Sequence, residues 1–306
     1  MKKLLKIYLS MVLVGIIMTF TTTVVFAQDV LNVEDMNSVY QKELTLNKKV
    51  QQYTPLREAD VMWSRKIWRE IDLREKMNHP FYYPENDGQA HTIDDRRSLI
   101  DVIYSAILEG SITAYGNAVL DDEFREPMTQ EDIKQIGGAE EKILTRTDWD
   151  AVALGADPEE AKITEAVKIP FNRNTVKKWR LKEEWFFDKQ RSVMDVRIIG
   201  LAPLQEGRDE LTEELDGTFN PLFWVHFPEA RKILINAEVF NLVKNNAERR
   251  TYDDIFWKRM FASTIIKESG VMDRRINEYM VGLDALLEAE RIKTEIFNIE
   301  HDLWEY

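Results

Sequence analysis

Residues 177–204 read KKWRLKEEWFFDKQRSVMDVRIIGLAPL. Trp179, Leu181, Trp185 and Phe187 alternate with Arg180, Lys182 and Glu184. After the polar turn Asp188-Lys189-Gln190-Arg191, Met194, Val196 and Ile198 alternate with Asp195 and Arg197. A period of two puts alternate side chains on one face, so two such runs around a turn predict antiparallel strands with one buried face. Working outward, Leu222 to Phe227 reads as another strand, and Pro228 suits the first turn of a helix through about Asn236. Ser111 to Asn117 reads as a short strand, and Thr129 caps a small helix that stops at Gly137-Gly138.

Helical patterns surround this sheet. Pro55 is expected to open a helix over residues 56–76, with Leu56, Ala59, Trp63, Ile67 and Ile71 on one stripe, ended by His79-Pro80. Thr92-Ile93-Asp94-Asp95 resembles a capping box before the core stripe Leu99, Val102, Ile103, Ala106 and Ile107, which Gly110 closes. Thr251 and Asp254 open a predicted helix carrying Ile255, Phe256, Met260, Phe261, Ile265 and Ile266, closed by Gly270. At the C-terminus, Ile276, Met280, Leu283 and Leu287 are spaced 4-3-4; Ile292, Ile296, Ile299 and Leu303 repeat that spacing after a five-residue jump. This predicts a long amphipathic helix packed on its own domain, in preference to an intermolecular coiled coil. The fold class is therefore α+β: a β-hairpin and sheet packed with amphipathic helices.

The ends and the charge set the class of protein. Residues 1–27 have Lys2, Lys3 and Lys6 ahead of an apolar stretch and close on Val25-Phe26-Ala27, so a signal peptide cleaved between Ala27 and Gln28 is expected, rather than an uncleaved anchor. Residues 28–54 form a polar arm, residues 55–306 a single domain, and 139–170 a variable connection. The chain of 306 residues carries −13; without the leader it has 38 basic and 54 acidic residues, or −16. That balance argues against broad nucleic-acid binding, which needs a cationic face. The absence of cysteine removes disulfides, thiolate metal sites, cysteine nucleophiles and a lipidated N-terminal cysteine.

Catalytic patterns are missing. Gly137-Gly138 lacks the Lys-Ser/Thr of a phosphate loop, and neither H-E-x-x-H nor G-x-S-x-G occurs. His79, His91, His226 and His301 are scattered. Asp121-Asp122-Glu123 and Glu85-Asn86-Asp87-Gly88 lack the ligand spacing of a calcium loop. No catalytic, metal or cofactor residue is nominated. An exported acidic hydrolase with a dispersed carboxylate site and a Ca²⁺ binder stand as the alternative functions. What remains is eight tryptophans among dense charge, and aromatics with arginine mark protein interfaces. Trp63, Arg65, Trp68, Arg69, Arg74 and Trp304 are the candidate interface residues. Trp179, Trp185 and Trp257 are assigned to the core, and Trp68 and Trp304 are open between core and interface.

The stretch PLREADVMWSRKIWREIDLREKMNHPFYYP (55–84) resembles the signature segment of the GldN/PorN family. So do WFFDKQRSVMDVRIIGLAPL (185–204), LFWVHFPEARKIL (222–234), RRTYDDIFWKRMFASTIIKES (249–269) and DALLEAERIKTEIFNIEHDLWEY (284–306), in that order. These are gliding-motility and type IX secretion proteins of Bacteroidetes-type bacteria. The resemblance implies a periplasmic, non-enzymatic subunit without a cofactor. It implies a ring of copies at the periplasmic face of the outer membrane, built with a GldK/PorK-type lipoprotein. That ring is expected to connect to the GldM/PorM-type arm of an inner-membrane motor and, indirectly, to the outer-membrane translocon.

Overall fold

The hairpin lies at the centre of a seven-stranded antiparallel sheet. The computed structural model describes residues 47–85, 96–116, 122–136, 171–208, 215–240 and 249–302, with the backbone course alone for 141–147 and 162–168. Along the chain run β1 (Val61–Asp72), α1 (His79–Tyr82), α2 (Leu99–Leu108), β2 (Ala114–Tyr115), α3 (Gln130–Gln135), β3 (Glu141–Thr147) and β4 (Lys162–Lys168). Then follow β5 (Val176–Asp188), β6 (Val193–Arg208), β7 (Leu215–Pro221), β8 (Trp224–His226), α4 (Phe227–Leu234), α5 (Tyr252–Trp257), β9 (Thr264–Glu268) and α6 (Leu283–Asp302). The sheet order is β2-β8-β6-β5-β1-β9, with β7 added to β6, and β3 and β4 pair separately. The α+β class therefore holds. The expected leader with Ala27 and Gln28, the capping motif at 92–95, Asp121, the turn at 86–88 and Trp304 lie outside the described residues.

One sequence-based helix is a strand, and another is a strand in its second half. Residues 61–72 pair with β5 from Val61↔Asp188 to Asp72↔Lys178 and with β9 from Ile67↔Glu268 to Glu70↔Thr264. Trp63, Ile67 and Ile71 are four residues apart, and four is both a helical neighbour spacing and a multiple of the strand period. A strand rich in β-branched and aromatic residues won. The helix beginning at Tyr252 also ends early, at Trp257, and Ile265 and Ile266 belong to β9. Arg259 makes this stop in the left-handed region, at φ 52°. No glycine marks it; the guanidinium is instead pinned by Glu183 (2.9 Å) and stacks on Trp185 and Phe261, each centroid 5.3 Å away.

Other local signals act as expected. The Thr129 and Thr251 side chains cap α3 and α5 in capping boxes closed by Asp132 and Asp254. Gly110 follows α2 at φ 74°, where an L side chain would be strained.

The sheet has a front and a back. On the front, Ile71, Trp179, Leu181, Leu201 and Val225 pack beneath α2, α4 and α5 in the larger core, with the Phe256 ring tilted against Phe81 and edge-to-face with Phe227 and Phe261. Ile67, Ile265, Ile276, Ala289, Ile292 and Ile296 form a smaller core under α6. Between the two lies an ionic cluster. Glu183 is 0% exposed: its Oε2 accepts from Arg259 Nη2 (3.1 Å) and from the Trp185 indole N–H (3.2 Å), and its Oε1 is ion-paired with Arg259 Nη1 at 2.9 Å. The hairpin is not buried on one face alone, because Arg180 and Lys182 on the back are buried too. Lys182 lies over the Trp68 and Phe124 rings, 5.6 and 5.8 Å from their centroids. Gly200 leaves room for that cover, since a Cβ there would meet Phe124 Cζ at 2.5 Å.

Candidate interaction surfaces

The arginines and tryptophans of β1 are spent largely inside the fold. Trp63 packs half-buried on the smaller core with Arg65 over its ring at 5.5 Å, and Arg65 bridges Glu268 of β9 and Glu295 of α6, both at 3.0 Å. This pair of bridges staples α6 to the sheet edge. Trp68 is core: it is buried on the back, its indole N–H donates to Asp122 (2.5 Å), and the Lys267 ammonium sits 4.5 Å from its centroid. Arg69 donates to the Ser263 hydroxyl (2.8 Å) and carbonyl (3.1 Å). Burial pulls its pKa below the ordinary arginine value, against Glu183 and with Arg259. Arg74 is exposed and grips Asp72 (2.8 Å). Burial pushes the Asp72 carboxyl up, but the Arg74 hydrogen bonds prevail and hold it below the ordinary value. The structure does not bring these side chains together into one outward patch.

Trp257, expected in the core, is 47% exposed. It is covered instead by Tyr53 of the N-terminal arm, stacked at 5.3 Å, and by Arg231, 5.0 Å from its centroid. Arg231 is itself buried and pairs with Asp253 at 2.7 Å. Burial lifts the Tyr53 hydroxyl above its usual pKa, with Arg231 opposing. Lys48 of the same arm pairs with Asp254.

The exposed apolar surface lies elsewhere. Among the described residues, nine of the fifteen large hydrophobics that face solvent fall between Val271 and Phe297. On α6, Leu283 (70% exposed), Leu287 (59%) and Phe297 (64%) are outward, whereas Ala289, Ile292 and Ile296 are buried. The five-residue jump from Leu287 to Ile292 explains this, because it carries the stripe about 140° around the axis. Leu283 and Leu287 of the first run therefore lie on the opposite side of α6 from Ile292 and Ile296 of the second, while Ile276 and Met280, expected on the same helix, precede it, and Ile276 is buried in the smaller core. Ile292 and Ile296 close the smaller core, and Leu283 and Leu287, with Leu286, face solvent. Arg291 is clasped by Glu288 (2.8 Å) and Glu295 (3.0 Å) on the flank, and the Glu288 hydrogen bond raises its pKa.

The other buried acids face guanidinium groups: Asp101 meets Arg173 and Glu238 meets Arg249. Among the described residues no three His, Asp or Glu side chains converge as a metal site would require. No described helix is long and apolar enough to cross a membrane.

A family model described as gliding motility associated protein GldN matches residues 56–305. The chain belongs to the GldN family. The GldN match takes in the whole seven-stranded sheet, all six helices and the exposed stripe of α6. GldN is a structural family of the gliding machinery and not a known enzyme family. No curated protein matches the chain.

Proposed function

We infer that the mature chain is a periplasmic structural subunit of the type IX secretion and gliding machinery. It forms a ring at the inner face of the outer membrane with a GldK/PorK-type lipoprotein and couples that ring to a GldM/PorM-type motor arm. The GldN match over 56–305 carries this reading. The leader-like N-terminus supports export, and the outward stripe of α6 supports work through neighbours. A subunit of a closed ring needs two different complementary surfaces, one for each flank.

The test is co-purification of the tagged chain with the cognate lipoprotein from envelope extracts, followed by cross-linking mass spectrometry. Cross-links from Lys293, 60% exposed on α6, to the lipoprotein or to a second copy are expected. A monomer that captures no partner from membrane extracts overturns the proposal.

A further inference from the structure

Residues 48–60 read KKVQQYTPLREAD, a polar run with one aromatic side chain. They form a strap ahead of β1, irregular except for one short turn at 58–60, and none of its residues is buried. Among the described residues its backbone makes no backbone hydrogen bond to the rest of the fold before Asp60, whose carbonyl accepts from the Lys189 N–H (2.9 Å). Upstream of that anchor the strap is held at two places. Tyr53 stacks on Trp257 with the Arg231 and Arg197 guanidinium groups 4.6 and 5.0 Å from its centroid, and Arg197 donates to the Thr54 carbonyl (2.5 Å). Lys48 reaches Asp254 and the Thr251 hydroxyl (3.3 Å). Beside Tyr53 remains a cavity of about 260 Å³, lined also by Ile198, Phe227 and Phe256, so the strap covers this seat without filling it.

The seat fixes the chemistry of its occupant: an extended segment with an aromatic ring for Trp257 and the guanidinium groups, and an ammonium five residues earlier for Asp254. The strap meets that description, and nothing in the seat requires the strap to come from the same chain. A strap from a neighbouring copy makes the same contacts, which is why exchange of an identical element is a low-cost way to join copies. In an isolated chain the tether favours its own strap; in a ring the neighbour's seat is held nearby at a comparable effective concentration. A ring subunit needs two different surfaces that fit each other, and strap and seat are such a pair. We propose that the strap is exchanged between copies, with Tyr53 and Lys48 of one chain seated on Trp257, Arg231 and Asp254 of the next. The proposal rests on the ring role inferred above.

Carbodiimide coupling tests it, because it joins an ammonium to a carboxylate in contact and needs no engineered residue in the wild type. Two full-length chains with different tags are co-expressed, one carrying Asp254→Asn and the other Lys48→Gln. Neither contains both partners, so a Lys48–Asp254 linked peptide from envelope assemblies can only join two copies. It should form at about a quarter of the wild-type yield, since half the straps keep Lys48 and half the seats keep Asp254. Adding Tyr53→Ala to the chain that keeps Lys48 should lower it by about tenfold, the weight of one aromatic pair with its cation–π contacts. Wild-type chains that give the peptide while the co-expressed pair gives none overturn the exchange. So does its absence from wild-type assemblies, or a mixed peptide undiminished by Tyr53→Ala. Capture of the lipoprotein, measured in the same extracts, separates the two ideas: capture with linkage only within single chains sinks the exchange alone.

Discussion

The two ends of the front face are built unequally. At the larger core, β1, β5, β6 and β8 are roofed by helices that also pack on one another, and Phe256 touches three further rings. At the smaller, Ile67, Ile265 and Ile276 are roofed by α6 alone, a helix whose first turns expose Leu283, Leu286 and Leu287. The Glu183–Arg259 cluster separates them. One sheet thus does two jobs: one end supplies the folding energy, and the other holds a helix out to solvent in a fixed position. Removing the Phe256 ring should have the largest effect. Phe256→Ala is expected to cost about 3–5 kcal/mol, by analogy with other aromatic deletions in cores, measured by urea unfolding. A much smaller loss would mean the larger core is not the stabilising end.

The divider comes next. Glu183→Gln leaves the partly exposed Arg259 guanidinium facing a neutral amide, and about 2 kcal/mol is expected for the lost charge-assisted contacts. Both ends should loosen together in hydrogen exchange, since the cluster touches both. Ile292→Ala strikes the smaller core only. A cost of about 2 kcal/mol is expected, at the low end for buried aliphatics because α6 can settle inward. Exchange should rise in α6 and β9 while α2 stays protected. Uniform exchange across both ends would erase the distinction between them.

The unequal ends also explain what the sequence reveals. The β5–β6 hairpin was legible because Trp179, Leu181 and Met194, Val196 alternate with charge on either side of a polar turn. β1 was not, because its front face reads Trp63, Arg65, Ile67, Arg69, Ile71. The two arginines belong to ionic contacts within that face, so the period of two is broken by residues that are inside for reasons of pairing. The end of α5 was hidden for a like reason, since a distant glutamate holds Arg259 in a glycine-like conformation. Near α6 the spacing was legible and its meaning was not, because only the packing against the sheet decides that Ile276, Ile292 and Ile296 turn inward while Leu283 and Leu287 do not. The ionic grouping on the back was invisible, because Glu70 comes from β1 and its partners Lys178 and Arg180 from β5, more than a hundred residues later.

A smaller effect bears on how the arm is tied down. Asp254 closes the cap of α5 and pairs with Lys48. Burial pushes its carboxyl up, but the hydrogen bonds from Lys48 and Thr251 together hold it below the ordinary value. A carboxylate so lowered stabilises fully above its unfolded pKa of about 4 and loses that contribution as pH falls through the folded value. Asp254→Asn should therefore cost about 1 kcal/mol at neutral pH, typical of a lost cap. Its melting curve should approach that of the wild type as the pH falls through the lowered pKa of Asp254. The arm is fastened at the well-packed end, so the exchange of α6 should not respond.

The smallest effect on folding belongs to the substitution with the most to say about assembly. Leu287 is mostly outward, so Leu287→Glu removes little buried surface. The new carboxylate stands four residues before Arg291, a spacing that favours the helix, and the stability change should stay within about 0.5 kcal/mol. Ile296→Glu, on the inner side of the same helix, should instead strip α6 from the sheet. If α6 is held out to meet a neighbour, Leu287→Glu will fold like the wild type and fail to bring down the lipoprotein or a second copy, since a charge placed in an apolar contact is paid for only in the complex. Undiminished capture would mean that the bare side of α6 has no partner. The sheet would then merely be packed unevenly, and the contact surfaces would have to be sought on its back.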